Sequence, residues 1–246
     1  MKLLLLGSGG YHPSAQRHTA CLMLPEVGVV LDAGTGMFRL PEHLATDELD
    51  IFITHAHLDH VIGLTYLLGL LHDRGMRRVT VHGTEGKLAA VREHLFAEPV
   101  FPIGPRFEMR PLDETVPLPL GGTLGWFRLD HPGGSIGYRL DWPGHSLAYV
   151  TDTTATADAP YIERIRSVDL LAHECYFSDD QAELARQSGH SCASAVAEVA
   201  QAAEVGRLVL THIDPSAVSA DSLGLESMQK IFPAIELGCD GMEIEF

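Results

Sequence analysis

The chain has 246 residues, 46% of them apolar and 20% charged, a composition that allows a sizeable core and excludes a disordered chain. That length is near the upper limit for one hydrophobic core, and no linker rich in Ser, Gly or charge interrupts it, so one domain over residues 1–246 is expected. With 17 basic against 33 acidic residues the formal net charge is −16, and no basic run exceeds the pair Arg77-Arg78. An extended nucleic-acid surface, which needs clustered Lys and Arg, is therefore not expected, and a small substrate is favoured.

The opening KLLLL is followed by Gly7. Its apolar run is shorter than the about 7 residues of a signal-peptide core or the about 18 of a membrane span, so a cytoplasmic protein without a membrane partner is expected. Buried apolar strands are predicted at residues 3–6, 21–24, 29–31, 51–53 and 79–81, short runs in a stretch punctuated by Gly, Pro and Asp. Further strands are predicted at 123–129, 136–140, 147–150, 170–172, 208–210 and 242–246. Helical periodicity marks 61–71, 86–96, 159–166 and 193–204, the last with Ala193, Val196, Ala197 and Ala200 on one face and Ser191 as its N-cap. Strands and helices mixed without strict alternation suit stacked sheets covered by helices better than a regular parallel barrel. Two halves of similar strand content fit this order. The cysteines Cys21, Cys175, Cys192 and Cys239 have no close-spaced pair and read as ordinary buried thiols.

Chemistry concentrates in THAHLDH, residues 54–60, directly after the apolar strand DIFI. His55, His57, Asp59 and His60 are imidazole and carboxylate groups of the kind zinc accepts, crowded onto a strand-end loop. One catalytic zinc needs about three protein ligands, so a fourth in the same loop points to a second ion. One loop cannot surround two ions, and further polar groups do end other apolar runs: His131 after TLGWFRLD, Asp152 after SLAYVT, His212 after RLVLT. A carboxylate such as Asp152 has two oxygens and can bridge cations about 3.5 to 4 Å apart, the spacing of two-metal hydrolases. Taken singly, His131 or His212 would more often be a surface or hydrogen-bonded residue, and Asp152 a turn cap; the THAHLDH cluster is what argues for ligation.

These residues resemble the metallo-β-lactamase superfamily, whose signature is the His-x-His-x-Asp-His loop, and more narrowly its ribonuclease Z-like, phosphodiesterase branch. The resemblance extends over LLLLGSGG, VVLDAGTG, HPGGSIGYRL, VTDT, LLAHEC, GHS and LTH in order. It implies an α+β fold, a four-layer αββα sandwich of two mixed β-sheets flanked by helices. It also implies that His55, His57 and His131 hold one ion, that Asp59, His60 and His212 hold the other, and that Asp152 bridges them. Asp59 is counted among the catalytic groups as well, together with Glu174 of HEC and His190 of GHS, which in this branch stand near the leaving group. The implied cofactors are two divalent cations, zinc first, with Mn²⁺ or Fe²⁺ as alternatives.

In bacterial ribonuclease Z enzymes an extruded tRNA-gripping arm interrupts the region between the third His and the bridging Asp. Here HPGGSIGYRLDWPGHSLAYVTD has room for two strands and a turn. The expected activity is therefore hydrolysis of a small phosphodiester or cyclic phosphate. Two alternatives stand beside it: a lactone or carboxylic ester hydrolase, and a non-hydrolytic iron-dependent or cofactor-binding member of the same fold. The expected partner is a small anionic or ester substrate, with a homodimer left open. GSGG reads as a tight structural turn, since a dinucleotide site needs a later Gly and a following helix. His12, His18, His43, His72, His82, His94 and His145 have no comparable company, and His173 suits either a supporting contact to a ligand or simple burial. Residues 100–105 and 177–188 are candidates for lining the cleft.

Overall fold

Apolar runs become strands wherever both faces of a sheet can be covered, and the computed structural model, which describes residues 1–72, 74–217 and 220–246, has fourteen of them among those residues. They fall into two compact units. The first, Met1–Glu114 with Asp240–Glu245, contains β1 (Lys2–Gly7), β2 (Cys21–Leu24), β3 (Val29–Leu31), β4 (Glu48–Phe52), β5 (Arg78–Gly83) and β6 (Glu108–Pro111). The second, Thr115–Cys239, contains β7 (Thr115–Leu118), β8 (Gly122–Leu129), β9 (Ser135–Trp142), β10 (His145–Val150), β11 (Leu170–Glu174), β12 (Arg207–Thr211) and β13 (Ile235–Leu237). The last strand, β14 (Glu243–Glu245), pairs with β1 in the first unit.

Each unit is a seven-stranded mixed sheet, in the order β14-β1-β2-β3-β4-β5-β6 and β13-β12-β11-β10-β9-β8-β7. Both follow one pattern. In the first, three antiparallel pairings from β14 to β3 give way to three parallel pairings from β3 to β6. In the second, antiparallel pairings from β7 to β10 give way to parallel ones from β10 to β13. The expectation of two halves of similar strand content is met in this direction pattern.

The predicted strands are all present. The three that sequence patterning missed, β6, β7 and β13, are edge strands, with sequences EMRP, TVPL and IEL. Pro111 and Pro117 are tolerated there because a sheet edge does not need every N–H.

Helices α1 (Leu40–His43), α2 (Leu58–Val61), α3 (Leu67–Leu70) and α4 (Glu85–Ala90) belong to the first unit, and α5 (Ala182–Ser188), α6 (Ala193–Ala202) and α7 (Leu225–Ile231) to the second. The single helix expected at 61–71 is α2, a 3-10 turn over Ile62–Tyr66, and α3. The cause is a tether: Ala33 N–H donates to His60 O and Gly63 N–H to Ala33 O, both at 2.7 Å, so this backbone bonds to the 32–36 turn instead of closing its own ladder. A Cβ at Gly63 would fall 2.3 Å from Gly34 O, so only glycine permits the approach. The helix expected at 86–96 ends in a π turn over Val91–Leu95, with Phe96 N–H bonded to Val91 O. That expected at 159–166 is a 3-10 turn over Pro160–Arg164. Among the described residues no helix is long and apolar enough to cross a membrane.

In the first unit Leu4, Leu6, Met23, Val30, Ile51 and Val81 form a core with Met37, Leu40, Val61, Leu64 and Leu88 from the helical segments. In the second, Ala148, Val150, Leu171 and Leu210 pack with Val196, Ala197 and Ala200 of α6, the face expected from periodicity. Ser191 does not cap α6. Its hydroxyl donates to Thr153 O (2.6 Å) and accepts Ala155 N–H (3.0 Å), while the Asp179 carboxylate takes Ser194 N–H (2.8 Å) at the helix start. Cys21 and Cys175 are buried thiols, their pKa values raised by burial; Cys192 is half-buried and Cys239 exposed, which corrects the reading of all four as buried.

One polar network inside the first unit gives a stability prediction. Asp50 accepts a bidentate pair from Arg78 (2.6 and 2.7 Å) and a third bond from His82 Nε2 (2.8 Å), whose ring stacks on Phe52. Burial pushes the Asp50 carboxyl up, but the bonds from His82 and Arg78 overcome it and hold the pKa at about 2. The network therefore stabilises the fold fully above the unfolded value near 3.9, and that contribution disappears as pH falls from about 4 to about 2. Asp50→Asn should cost about 1–2 kcal/mol at pH 7, allowing for partial solvent screening. Urea midpoints of wild type and variant should differ at pH 7, draw together as pH falls below about 4 and converge only near pH 2 and below; an equal gap throughout would exclude the carboxylate as the source.

Candidate metal centre

Loops at the carboxyl ends of strands are where open sheets gather ligands, because the rigid strands end there and polar groups reach solvent. In the first unit the loop after β4 and the first turn of α2 bring together His55, His57, Asp59 and His60. The His55 ring centroid lies 4.4 Å from that of His57 and 4.3 Å from that of His60. His55 and His60 are buried and His57 is exposed. Asp59 Oδ2 stands 3.4 Å from His60 Nε2 and accepts Tyr11 N–H at 2.8 Å.

Sequence reasoning quoted VVLDAGTG but gave Asp32 no role. Asp32 ends β3 in a left-handed conformation (φ 58°) and is fully buried. Its carboxylate accepts Thr54 N–H (2.8 Å), the Thr54 hydroxyl (2.9 and 3.0 Å) and His60 Nδ1–H (2.8 Å). With its proton on Asp32, Thr54 Oγ1 must accept from His55 Nδ1, 3.0 Å away. One buried carboxylate thus sets the tautomers of both His55 and His60, leaving the lone pair of each ring on Nε2, the nitrogen a metal would need. The available signal was an acid closing a continuous apolar run, the same signal that singled out Asp152.

In the second unit Asp152 ends β10, also left-handed (φ 48°) and buried. Its two oxygens face different imidazoles: Oδ2 lies 3.4 Å from His131 Nε2 and Oδ1 3.3 Å from His212 Nε2. His131 Nδ1–H donates to Gly189 O (2.8 Å), which leaves the unprotonated lone pair on Nε2, the nitrogen that faces Asp152. Burial lowers the His131 pKa against the opposing pull of Asp152, favouring the neutral ring that a ligand must be. His190 joins this set, with ligand-type atoms of Asp152, His190 and His212 all within 4.8 Å of one another.

The Glu174 carboxylate, fully buried at the end of β11, holds His190 Nδ1 at 3.0 Å and also accepts Thr153 N–H (2.8 Å) and Ser191 N–H (3.2 Å). The His190 ring stacks near-parallel to Tyr176 on one contact (5.2 Å, 26°) and to His212 on another (5.3 Å, 21°).

The donor set fits divalent cations. Two ligands about 2.0–2.2 Å from one tetrahedral ion lie about 3.4 Å apart, and the three imidazole–carboxylate pairs His60–Asp59, His131–Asp152 and His212–Asp152 stand at 3.4, 3.4 and 3.3 Å. These are long for hydrogen bonds and right for a shared ion.

Other residues resolve into structural roles. Buried His173 bonds the Tyr161 hydroxyl (2.9 Å) and Glu174 O (2.7 Å). His18 meets Thr35 Oγ1 at 3.2 Å, and His82 belongs to the Asp50 network. The GSGG turn is structural: Asp240 accepts both N–H and hydroxyl of Ser8 (2.9 and 2.8 Å) and His18 N–H (2.7 Å). Within residues 100–105, Phe101, Gly104 and Pro105 line a cavity of about 340 Å³ with Leu64, Leu67 and Phe96, none of them a candidate ligand. In the second segment, Arg186 lines a cavity of about 280 Å³ with His131, Asp130 and Thr154.

Residues 28–213 match the family described as the beta-lactamase superfamily domain. The chain is 27% identical to the ribonuclease Z of Haloarcula marismortui, over all of this chain and 97% of that one. Their alignment runs to 307 positions although this chain has 246 residues, so that relative carries segments with no counterpart here. Among solved structures, the metallo-beta-lactamase fold protein YhfI from Bacillus subtilis superposes with a TM-score of 0.82 at 18% identity over 99% of each chain. Human tRNase Z, short form, gives 0.76 at 23% identity over 100% and 99%. The two seven-stranded mixed sheets with their helices are the sheets of that fold, as the sequence resemblance implied.

Proposed function

Because the chain belongs to the metallo-β-lactamase superfamily, we propose that it is a dinuclear metal-dependent hydrolase acting on a small phosphodiester or cyclic phosphate. The observation that carries this reading is Asp152, whose two oxygens each face a separate imidazole, as a bridging carboxylate requires. In this proposal His55, His57 and His131 hold one ion and Asp59, His60 and His212 the other. The two cations, zinc by preference, supply an activated water and positive charge for the phosphoryl oxygens when bound.

The chain's own residues then do three things. Asp32 and Gly189 O hold the ligand imidazoles in the coordinating tautomer. Tyr11 N–H holds the Asp59 carboxylate. His190, with Nδ1 on Glu174, carries a proton on Nε2 in its imidazolium form and delivers it to the departing alkoxide, becoming neutral.

Size and charge favour a small substrate. The interval from His131 to Asp152 contains β9, the turn at 143–144 and β10, with no further segment for gripping tRNA. A net charge of −16 opposes a long polyanion, whereas a single phosphate is screened by the ions it meets.

The test is elemental analysis together with a panel of bis-p-nitrophenyl phosphate, cyclic phosphates, lactones and a tRNA precursor. Two divalent ions per chain and phosphodiester hydrolysis that is lost on chelation and restored by zinc are expected. One ion in active enzyme, or turnover of lactones alone, would sink the reading. Tight tRNA binding with specific 3′-trailer cleavage would overturn the small-substrate part.

A further inference from the structure

The cavity of about 340 Å³ lined by Phe101, Gly104 and Pro105 lies wholly within the first unit and takes no part in the metal centre. Its wall is apolar, built from Leu64, Leu67, Leu71, Phe96, Phe101 and Phe107. The Phe96 ring meets Phe101 and Phe107 edge to face, with centroids 5.2 and 5.7 Å apart, so the aromatic side of the wall is braced by its own contacts. Protein interiors close almost every void larger than a water, so an apolar space of this size needs a cause. Both helical segments that border it are irregular. Leu64 lies in the 3-10 turn over Ile62–Tyr66, where Gly63 N–H is tethered to Ala33 O, and Phe96 closes the π turn over Val91–Leu95 with its bond to Val91 O. A π turn is rare and frequently marks a functional site.

The solvent side of the cavity has a charge opposite to that of the chain. Arg74, Arg77, Arg78 and Arg106 line it, in a protein with 17 basic against 33 acidic residues. Two of the four are already neutralised, Arg77 by Asp47 and Glu48 and Arg78 by Glu48 and Asp50. Arg74 and Arg106 are exposed and form no ion pair among the described residues; Arg74 donates to the Pro41 carbonyl. Two guanidinium groups without carboxylates, over an apolar cavity, match a ligand with one anionic end and a hydrocarbon tail.

We propose that this cavity binds a medium-chain fatty acid, with the alkyl chain among Leu64, Leu67, Phe96 and Phe101 and the carboxylate on Arg74 and Arg106. The volume is at the lower end of the about 300–1,000 Å³ of small-molecule sites, which suits one short alkyl chain and excludes a two-chain lipid. On a chain of net charge −16 a single negative charge is opposed less than a double one, which favours a carboxylate over a phosphate head. No candidate metal ligand lines the cavity, so the fatty acid is not the group hydrolysed, and the inference stands apart from the phosphodiesterase reading.

The test is calorimetric titration of the metal-loaded protein with hexanoate, octanoate and decanoate, and with octanol as the uncharged counterpart. Each step of two methylenes should tighten binding by about tenfold, with one fatty acid bound per chain. Octanoate should bind about fivefold more tightly than octanol, the scale of two exposed ion pairs. Arg106→Gln, which breaks no ion pair among the described residues, should narrow that gap. The double variant Arg74→Gln, Arg106→Gln should abolish it and keep the methylene steps. Phe101→Ala should weaken octanoate and octanol alike by about tenfold, through lost apolar contact, with metal content unchanged. Equal affinities across the three acids would assign the carboxylate to the metal ions and overturn the proposal, as would a gap between octanoate and octanol that survives the double variant. Absence of saturable binding by wild type, with self-association or partition onto phosphatidylglycerol vesicles through the exposed Val100 and Ile103, would assign this face to another partner and also overturn it. Hydrolysis of bis-p-nitrophenyl phosphate tests the phosphodiesterase reading separately.

Discussion

Asp152→Ala is expected to lower turnover by about 10³-fold or more and to leave fewer than two ions per chain, with the fold retained. Loss of a residue that merely orients a ligand already costs about 10–100-fold in metal affinity. Asp152 offers one oxygen toward His131 and the other toward His212, so its removal takes a donor from both ions of the proposed pair. Several kcal/mol of transition-state stabilisation come from such ions, which is the scale of a thousandfold loss. The fold should survive because Asp152 lies past the end of β10, outside the cluster formed by Ala148, Val150 and Leu171. The left-handed backbone (φ 48°) suits Asp or Asn better than Ala, and the difference is about 1 kcal/mol. Asp152→Asn, which tolerates that backbone and keeps one oxygen, should retain more metal than Asp152→Ala. Wild-type turnover from a variant with two bound ions would remove Asp152 from the mechanism.

The positions that sequence reading placed best are those where one signal dominates. Residues 21–24 and 29–31 are continuous apolar runs buried on both faces, and the strands start and end where the runs do. The candidate ligand loop was legible because four groups of metal-ligand type in six positions have no ordinary explanation after an apolar strand. Edge strands gave no such signal: Glu108–Pro111 has one half-buried residue in four, so no alternation or run marks it. Asp32 shows another limit. Its partners are 22 and 28 residues away, and nothing local says that a turn aspartate will hold two imidazoles through one carboxylate. The break in the expected helix at 61–71 is tertiary too, because the bond from Gly63 N–H goes to Ala33. Ser191 had the right type and place for a cap, yet its hydroxyl serves Thr153 and Ala155, and with Glu174 on its N–H it builds the wall behind His190.

That wall leads to the second large effect, which separates proton delivery from metal chemistry. His190 is held by Glu174 at Nδ1, stacked near-parallel to Tyr176 and His212, and its side chain is 15% exposed; in the proposed mechanism Nε2 is the nitrogen that meets the substrate. An alkoxide of a sugar or nucleoside cannot depart without a proton, whereas p-nitrophenolate is stable enough to leave unaided. His190→Ala should therefore slow hydrolysis of an alkyl or nucleoside phosphodiester by about 10²-fold or more, the usual scale of general acid catalysis, and slow a p-nitrophenyl ester much less. Glu174→Gln should act in the same direction by loosening the imidazole, but it also disturbs the bonds from Thr153 and Ser191, so its melting temperature should fall while that of His190→Ala changes little. Because His190 lies within 4.8 Å of Asp152 and His212, it could instead be a ligand, and metal content distinguishes the two roles. A donor of protons leaves two ions in place and a loss graded by leaving group. Equal losses on both substrates with full occupancy would assign the proton to another group, and loss of an ion in His190→Ala would make His190 a ligand.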